Sequence, residues 1–576
     1  MYSHQVKFSL LVVLFISFGL EDLYSQTYSD LWSDEQEQKI NKMVERWDNQ
    51  TKPGAAVLVM NSGKPVYKKC FGLADVENKI PIKPSTIFPL ADLSSHFTAV
   101  ATFVLIDKGL LSLDTPITKY LSDMPDFVSK VSIKDLLQHS SGIDDFNRLN
   151  VLAGGQQDEV LTQDIALKLL RSQKNILFQP GSRTQDSAGN MLLLAEVIDS
   201  VSNKGFARFM REDIFEPLGM FNTLSIENID QHIENAALSY TSENDVLLRK
   251  RTASCIFGVN SIYSCLNDLV KWEQHLNSPT LLTLESVKKL NELIEFDYQG
   301  KTIKSTGTTL GQIGYHWESG AHKSWMRGNS GGFSSSVTKV VHKGFSSYVL
   351  ANTGEAYTGW VTVRAALITL PDFFVGPTMI DYSKITTLQL DNKELESYCG
   401  DYWNEKSGFR RKIVLENDTL RYTRPNGDST PLLPIENNRF QMMTPGDNWY
   451  FLKFSEGKNP YFHYGSREFP EYYKFDAYQP IALNDSKLHT YEGSYIDSIF
   501  NVVYDLKIEK DQLTLKNYRL GDVPLTYVQG DTFSSDTQYF TNLKFERNQL
   551  GNITGIHLMH NGKENHLLYK ASRSND

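Results

Sequence analysis

The stretch Phe88-Pro-Leu-Ala-Asp92-Leu-Ser-Ser95-His96-Phe97-Thr-Ala99 decides how this chain is read. From Phe97 to Lys108 apolar residues recur at helical spacing, which predicts a helix. Asp92 stands just ahead of it, where an aspartate serves as a helix N-cap. Asp92 and Ser95 are three positions apart, so a helix start turns both to one side.

Outward from this stretch the chain mixes strands and helices. Ala55–Met60 is an apolar run, Asn61-Ser-Gly-Lys64 a turn, and Pro65–Cys70 a second strand-like run, a hairpin pattern. Asn190–Ser202 has helical spacing and ends before Asn203-Lys204-Gly205, and Leu266–Leu276 repeats the pattern around Trp272. From about residue 380, aromatics, threonines and short alternating runs take over, with turns such as Asn426-Gly427-Asp428. That texture is antiparallel β.

This C-terminal part contains a repeat. Tyr398-Cys-Gly-Asp-Tyr402 matches Tyr491-Glu-Gly-Ser-Tyr495, 93 residues later. The same offset pairs Ile413 with Leu506, Leu415 with Ile508, Leu420 with Leu513, Pro431-Leu432 with Pro524-Leu525, and Phe440 with Phe533. Copies of about 90 residues are large enough to be small barrels of their own. The break between them falls near Pro480–Lys487. Either the copies brace the first domain, or their aromatics bind carbohydrate or peptide; alternating aromatics also fill barrels.

The chain has 576 residues, enough for two to four domains. The reading gives a signal peptide at 1–25, a mixed domain at 30–375, and β-barrel-like repeats at 380–482 and 487–576. Lys7 precedes the apolar run Phe8–Leu20, and Leu23-Tyr24-Ser25 suits a cleavage site, so the protein is expected to be exported, periplasmic or secreted. No other apolar stretch reaches the roughly 20 residues of a membrane span. A net charge of −10 with no basic stripe argues against nucleic acid. Four cysteines do not make a disulfide scaffold at this length: the apolar neighbours of Cys70 and Cys255 favour buried free thiols, with a Cys255–Cys265 pair as the alternative. There is no C-x-x-C, no H-E-x-x-H and no histidine cluster, so no metal or cofactor is expected.

Several segments resemble the serine β-lactamase and penicillin-binding protein family, with its class C β-lactamase, D-aminopeptidase and esterase relatives. Pro53-Gly-Ala-Ala56 through Phe71-Gly-Leu-Ala-Asp75 resembles the family's opening hairpin. Asp107-Lys-Gly-Leu-Leu-Ser-Leu-Asp114 resembles its G-x-L-x-L-D segment, and Leu136-Leu-Gln-His139-Ser-Ser-Gly142 its L-L-x-H-T-S-G loop. Glu216-Pro-Leu-Gly-Met-Phe-Asn-Thr223 resembles P-L-G-M-x-x-T. The resemblance implies an α/β (α+β) β-lactamase/transpeptidase-like domain, with a central antiparallel sheet flanked by helices and a site between sheet and helices. The two small antiparallel β-barrel-like domains that follow are similar to those of D-aminopeptidase-like members.

The family's chemistry needs a nucleophile, a proton acceptor, a group serving the leaving atom and oxyanion donors. Its first motif is S-x-x-K, and here Asp92 stands at the serine and Ser95 at the lysine. Its second is Y-x-N, and between Pro180-Gly181 and Leu193 the positions hold Asp186 and Ala188. Its third is H-x-G or K-T-G, and counting back from Gly332-Phe-Ser-Ser335 gives Met326-Arg327-Gly328. Strand alternation turns Arg327 away from the face of Met326 and Gly328. Ser336-Val-Thr-Lys339 spells S-x-x-K, but in a strand those two residues face opposite ways. Ser286-Val-Lys-Lys289 does so on a polar helix.

The resemblance therefore implies a hydrolase scaffold with degenerate motifs, a pseudoenzyme that binds a small-molecule or peptide-like ligand in its cleft. With Asp92, Ser95, Asp186 and Met326 there, the cleft favours cationic or neutral ligands over anions. One alternative is a rearranged hydrolase using Asp92 and Asp186 as paired acids, with His139 as a further pocket candidate. Another is a non-enzymatic envelope protein holding a partner through residues 380–576.

Overall fold

The computed structural model describes residues 32–571 apart from short internal stretches, the longest at 317–321, 372–384, 445–449 and 467–472. The proposed signal peptide lies outside the described residues. By its internal contacts the chain divides into two compact units. One comprises residues 1–142, 160–163 and 178–375, and the other residues 143–159, 164–177 and 376–576.

The first unit is built on a seven-stranded sheet. Its strands are β1 (Ala55–Asn61), β2 (Lys64–Phe71), β3 (Thr308–Thr309), β4 (Gln312–His316), β5 (His322–Ser330), β6 (Phe333–Val340) and β7 (Phe345–Ala351), in the order β3-β4-β5-β6-β7-β1-β2. Every pairing is antiparallel. The predicted hairpin is β1–β2. β1, β6 and β7 are buried along their whole length, which explains why β1 reads as a continuous apolar run and does not alternate.

Helices α1 (Asp34–Val44) and α5 (Thr358–Thr369) cover one face of the sheet. Their Ile40, Val44, Val361 and Ala365 form one core with Val57, Val59, Phe345 and Val349. On that face Ser336 and Thr338 hydrogen bond to Thr362 at 3.2 and 3.0 Å. The opposite face receives α4 (Leu266–Asn277), and α2 (Ser94–Asp107) reaches it where His96 meets Lys339; α3 (Ala188–Ser202) packs against α2. α2 and α3 pack against each other and are apolar nearly all round, as helices surrounded by protein are. α3 ends where the sequence places its end, with Asn203 in the left-handed region at φ 53°. Trp272 of α4 is fully buried and stacks on Phe97 of α2, ring centroids 4.2 Å apart.

The second unit contains both repeats. Residues 400–478 form a closed eight-stranded barrel, and residues 493–570 a nine-stranded barrel-like sheet. The 93-residue offset holds in three dimensions. Tyr402 donates to the Tyr398 carbonyl at 3.0 Å, and Tyr495 to the Tyr491 carbonyl at 2.8 Å. Tyr398 donates to Asn438 at 2.6 Å, and Tyr491 to Asp531 at 2.7 Å. The aromatics mostly fill the barrels: Phe440, Phe462 and Phe475 lie inside the first, Phe533, Phe540 and Phe545 inside the second. The short helix Phe146–Leu152 also belongs to this unit, because Val151 and Leu152 are buried in the core of the second repeat.

Cys255 and Cys265 are free thiols, not a disulfide. Burial pushes the Cys255 thiol up to about 12 and the Cys265 thiol up to about 11, so neither is poised to react.

Candidate functional site

Asp92 lies in a single tight turn, Ala91–Leu93, that runs directly into α2. The expected N-cap is not formed: the position before α2 is Leu93, and no side chain caps either segment. The helix begins three residues earlier than its apolar spacing shows, taking in Ser94, Ser95 and His96. Asp92 is thus exposed and Ser95 half-buried one helical turn on. Ala91 holds φ 49°, a left-handed conformation that costs a non-glycine residue about 1–3 kcal/mol. Its surroundings enforce it. The Leu90 amide donates to the Ile262 carbonyl at 2.9 Å, and Ser335 donates its hydroxyl to the Leu90 carbonyl at 2.7 Å.

β5 closes on this turn. Met326 and Gly328 are buried and Arg327 is exposed, as alternation requires. A Cβ on Gly328 would sit 2.6 Å from the Asp92 nitrogen and 2.8 Å from the Ala91 Cβ, so only glycine lets the strand approach this closely. Asp92, Ser95, Met326 and Gly328 therefore belong to one neighbourhood.

His139, Asp186 and Ala188 form a second one. Asp186 Oδ1 lies 3.4 Å from His139 Nδ1, its side chain 73% exposed against 8% for the histidine. The Ser187 amide donates to His139 Nδ1 at 3.2 Å, and the Asn190 side-chain amide lies 3.3 Å from the same nitrogen. Asn190 in turn accepts from the Ser141 hydroxyl at 2.6 Å. A nitrogen that accepts from a backbone N–H carries no proton, so the imidazole proton sits on Nε2. A catalytic histidine–carboxylate dyad needs the opposite, with the nitrogen facing the carboxylate donating to it. The loop clasp around His139 is otherwise built from backbone: the Gln185 amide donates to the His139 carbonyl at 2.8 Å and the Gly181 amide to the Ser140 carbonyl at 2.9 Å. Ala188 is half-buried, opens α3 and brings only a methyl group.

Behind α2 lies a buried polar cluster. Lys339 of β6 pairs with Glu273 of α4 at 2.7 Å, with side chains 4% and 5% exposed. Tyr348 donates to the same carboxylate oxygen, and His96 Nε2 lies 3.4 Å from the ammonium. Burial first, then the Lys339 charge, pushes the His96 imidazole well below its ordinary range. His96 thus faces inward, against Trp272 and Phe97, not into the Asp92 neighbourhood. Ser336 and Lys339 face opposite sides of the sheet: Ser336 donates to the Met326 carbonyl on the α5 side while Lys339 is held by Glu273. Ser286 donates to Asp107 at 2.7 Å and is no nucleophile candidate either.

Sequence reasoning missed Asn190, Ser141 and Glu273. A signal existed for two of them: Asn190 is a lone amide near the start of an apolar helix, and Glu273 adjoins Trp272 on a face that must be buried.

The sheet, the helices on both faces and the three motif positions beside α2 and α3 can be set against known proteins. A model of the Beta-lactamase family matches residues 40–364, more than half of the chain. The chain belongs to the Beta-lactamase family. Among relatives of this Beta-lactamase-family chain, a penicillin-binding protein of Bacillus subtilis strain 168 is 26% identical over 300 residues, 50% of this chain and 64% of that protein. A D-aminopeptidase of Brucella anthropi is 28% identical over 229 residues, 39% of this chain and 43% of that protein. The matches thus span less than two thirds of either relative. Among solved structures, the octameric penicillin-binding protein homologue from Pyrococcus abyssi aligns with a TM-score of 0.54 at 21% identity, covering 77% of this chain and 99% of that one. That likeness supports the β-lactamase/transpeptidase-like fold.

Proposed function

We propose that this protein is an exported Beta-lactamase-family member that has lost acyl-serine chemistry and uses its cleft to bind a cationic or neutral small-molecule or peptide-like ligand. The observation that carries the reading is the turn at Asp92. It places a carboxylate and Ser95, one helical turn apart, at the positions that resemble the family's serine and lysine. A carboxylate is a poor acyl nucleophile, since its acyl adduct would be a reactive mixed anhydride. The nearby lysine is no substitute base, because Lys339 lies behind α2, buried against Glu273.

The geometry gives little support to the rearranged hydrolase. An acid catalyst working near neutral pH is usually made by burying a carboxyl group, and Asp92 and Asp186 are both exposed. The His139 imidazole, accepting at Nδ1, is oriented against a dyad with Asp186.

The test is a fluorescent penicillin and a fluorophosphonate probe on purified full-length protein. No covalent label is expected, and stable labelling by either probe refutes the reading. A thermal-shift screen then addresses the ligand: cationic or neutral ligands should stabilise the protein. Preferential stabilisation by carboxylate-bearing D-peptides, lost in Asp92→Lys, would overturn the proposed ligand class.

A further inference from the structure

The two repeats are one barrel built twice, and they differ at one end. In the second repeat that end is occupied by the chain itself. Tyr504 donates to the Leu152 carbonyl at 2.7 Å, and Val151 and Leu152 join the barrel core. Gly154 lies so close to Asn517 that a Cβ there would be 2.9 Å from its Oδ1. Tyr504, Leu515 and Asn517 mark the rim, and beside them Arg519 pairs with Glu159 of the inserted segment at 2.6 Å.

Ninety-three residues earlier, the positions of Tyr504, Leu515 and Asn517 are Arg411, Tyr422 and Arg424. The strand registers put Arg411 and Tyr422 on the interior side of the first barrel, and Arg424, just past the strand end, lies over the Tyr422 ring. Arg411 stands opposite the inward Tyr402, Tyr422 opposite the inward Ile413, and Tyr464 opposite Tyr473. Tyr450, Tyr464 and Tyr473 complete the same end and are half-buried. Arg411 lies over the ring of Tyr422 at 5.5 Å, and Arg424 over the same ring at 5.2 Å. Among the described residues neither guanidinium has a carboxylate within ion-pair distance, whereas neighbouring Arg410 pairs with Asp536 and Arg421 with Glu416. Arg411 donates to the Tyr422 hydroxyl at 2.5 Å and to the Arg410 carbonyl at 2.6 Å, and Arg424 reaches Thr430 at 3.4 Å. Among the described residues these contacts hold the two guanidiniums in place without an anionic partner.

We propose that this end of the first barrel is a docking site for an acidic peptide segment of another protein. Its carboxylate pairs with Arg411 and Arg424, and its apolar neighbour packs on Tyr450, Tyr464 and Tyr473. The second repeat supplies the precedent for a peptide occupant, since the matching end already takes in a chain segment through a carbonyl contact and two aliphatic side chains. The second repeat also pairs a carboxylate of its inserted segment, Glu159, with Arg519, and the exchange of Tyr504 and Asn517 for two arginines adds cations at the matching end of the first. Charge-assisted contacts from planar guanidiniums suit carboxylates, and tyrosine rings suit the flanking apolar side chain. The site is separate in sequence and chemistry from the Asp92 cleft.

The experiment is fluorescence anisotropy on the full-length protein with a fluorescein-labelled peptide of alternating leucine and glutamate. Its glutamine counterpart and an oligogalacturonate serve as competitors. Binding of the glutamate peptide is expected, weakened at least tenfold by Arg424→Gln and weakened by added salt. Arg411→Gln gives the same loss where circular dichroism shows the barrel intact; Arg424→Gln, at a half-exposed position, decides the matter otherwise. Equal binding of the glutamine peptide, absence of binding, or no effect of Arg424→Gln overturns the proposal. Displacement of the peptide by oligogalacturonate at lower concentration than by unlabelled peptide overturns it in favour of an anionic glycan.

Discussion

Replacing Glu273 by leucine should be among the most damaging single changes in the first unit. Its carboxylate is 5% exposed and lies 2.7 Å from the Lys339 ammonium, which is 4% exposed. Removing it leaves an uncompensated buried ammonium, a cost of about 3–5 kcal/mol. Tyr348 also loses the acceptor of its hydroxyl, worth about 1–2 kcal/mol more. The expected loss is therefore about 4–7 kcal/mol. Replacing Lys339 by methionine alone leaves a buried carboxylate still held by the Tyr348 hydroxyl, so its cost should fall nearer 3 kcal/mol. The double variant removes both charges and fills the space with apolar atoms, and it should recover to within about 2 kcal/mol of the parent. Urea unfolding of the four proteins, followed by tryptophan emission, gives the coupling energy directly. A cost below about 1 kcal/mol for Glu273→Leu, or a double variant as unstable as the sum of the singles, would refute the buried-pair argument.

Other outcomes follow from the same structure. Gly328→Ala should cost about 1–3 kcal/mol, measured by thermal unfolding, because the new methyl group meets the Asp92 backbone and Ala91 at once. Stability should fall as pH drops below about 6.5. Burial lowers the folded-state values of His96, His275 and His342, so the unfolded chain binds more protons there; His96→Phe should flatten the curve of melting temperature against pH. Histidine-selective isotope-labelled NMR at neutral pH should find His139 protonated at Nε2 and not at Nδ1, and the reverse tautomer would undo the assignment of its hydrogen bonds. Tyr504→Phe should destabilise the second unit by about 1 kcal/mol in urea unfolding, through loss of the bond to the Leu152 carbonyl.

The parts of this fold that could be read from sequence are those where one local rule dominates. The β1–β2 hairpin announces itself through an apolar run, a turn and a second run. α3 carries both its periodicity and its terminator, Asn203. The duplication was visible because barrel-filling aromatics recur at one spacing. The start of α2 was misplaced because Ser94, Ser95 and His96 look polar, yet Ser94 and His96 are buried, Ser94 accepting the Ile262 amide at 3.2 Å and His96 packing against Trp272. The expected N-cap at Asp92 failed for a related reason: the chain enters α2 through a helical turn, and a cap requires extended backbone. The pairing of Lys339 with Glu273 links residues far apart in the chain, which no local pattern reports. The contact of His139 with Asp186 was out of reach for the same reason, although both residues were singled out.

The helix Phe146–Leu152 has a consequence for how the protein is made. Its carbonyl at Leu152 waits for Tyr504, 352 residues further along the chain. At roughly 5–20 residues per second, a ribosome takes about 20–70 s to supply that partner. For that interval Val151 and Leu152 have no barrel to enter, though the chain on both sides of them has already emerged. The second unit thus cannot be completed before the strands that follow Tyr504 have been made, and its earliest piece must be kept from aggregating until then. A chain cut after residue 375 would keep that piece and never receive the barrel, so trimming the repeats does not yield a clean first unit.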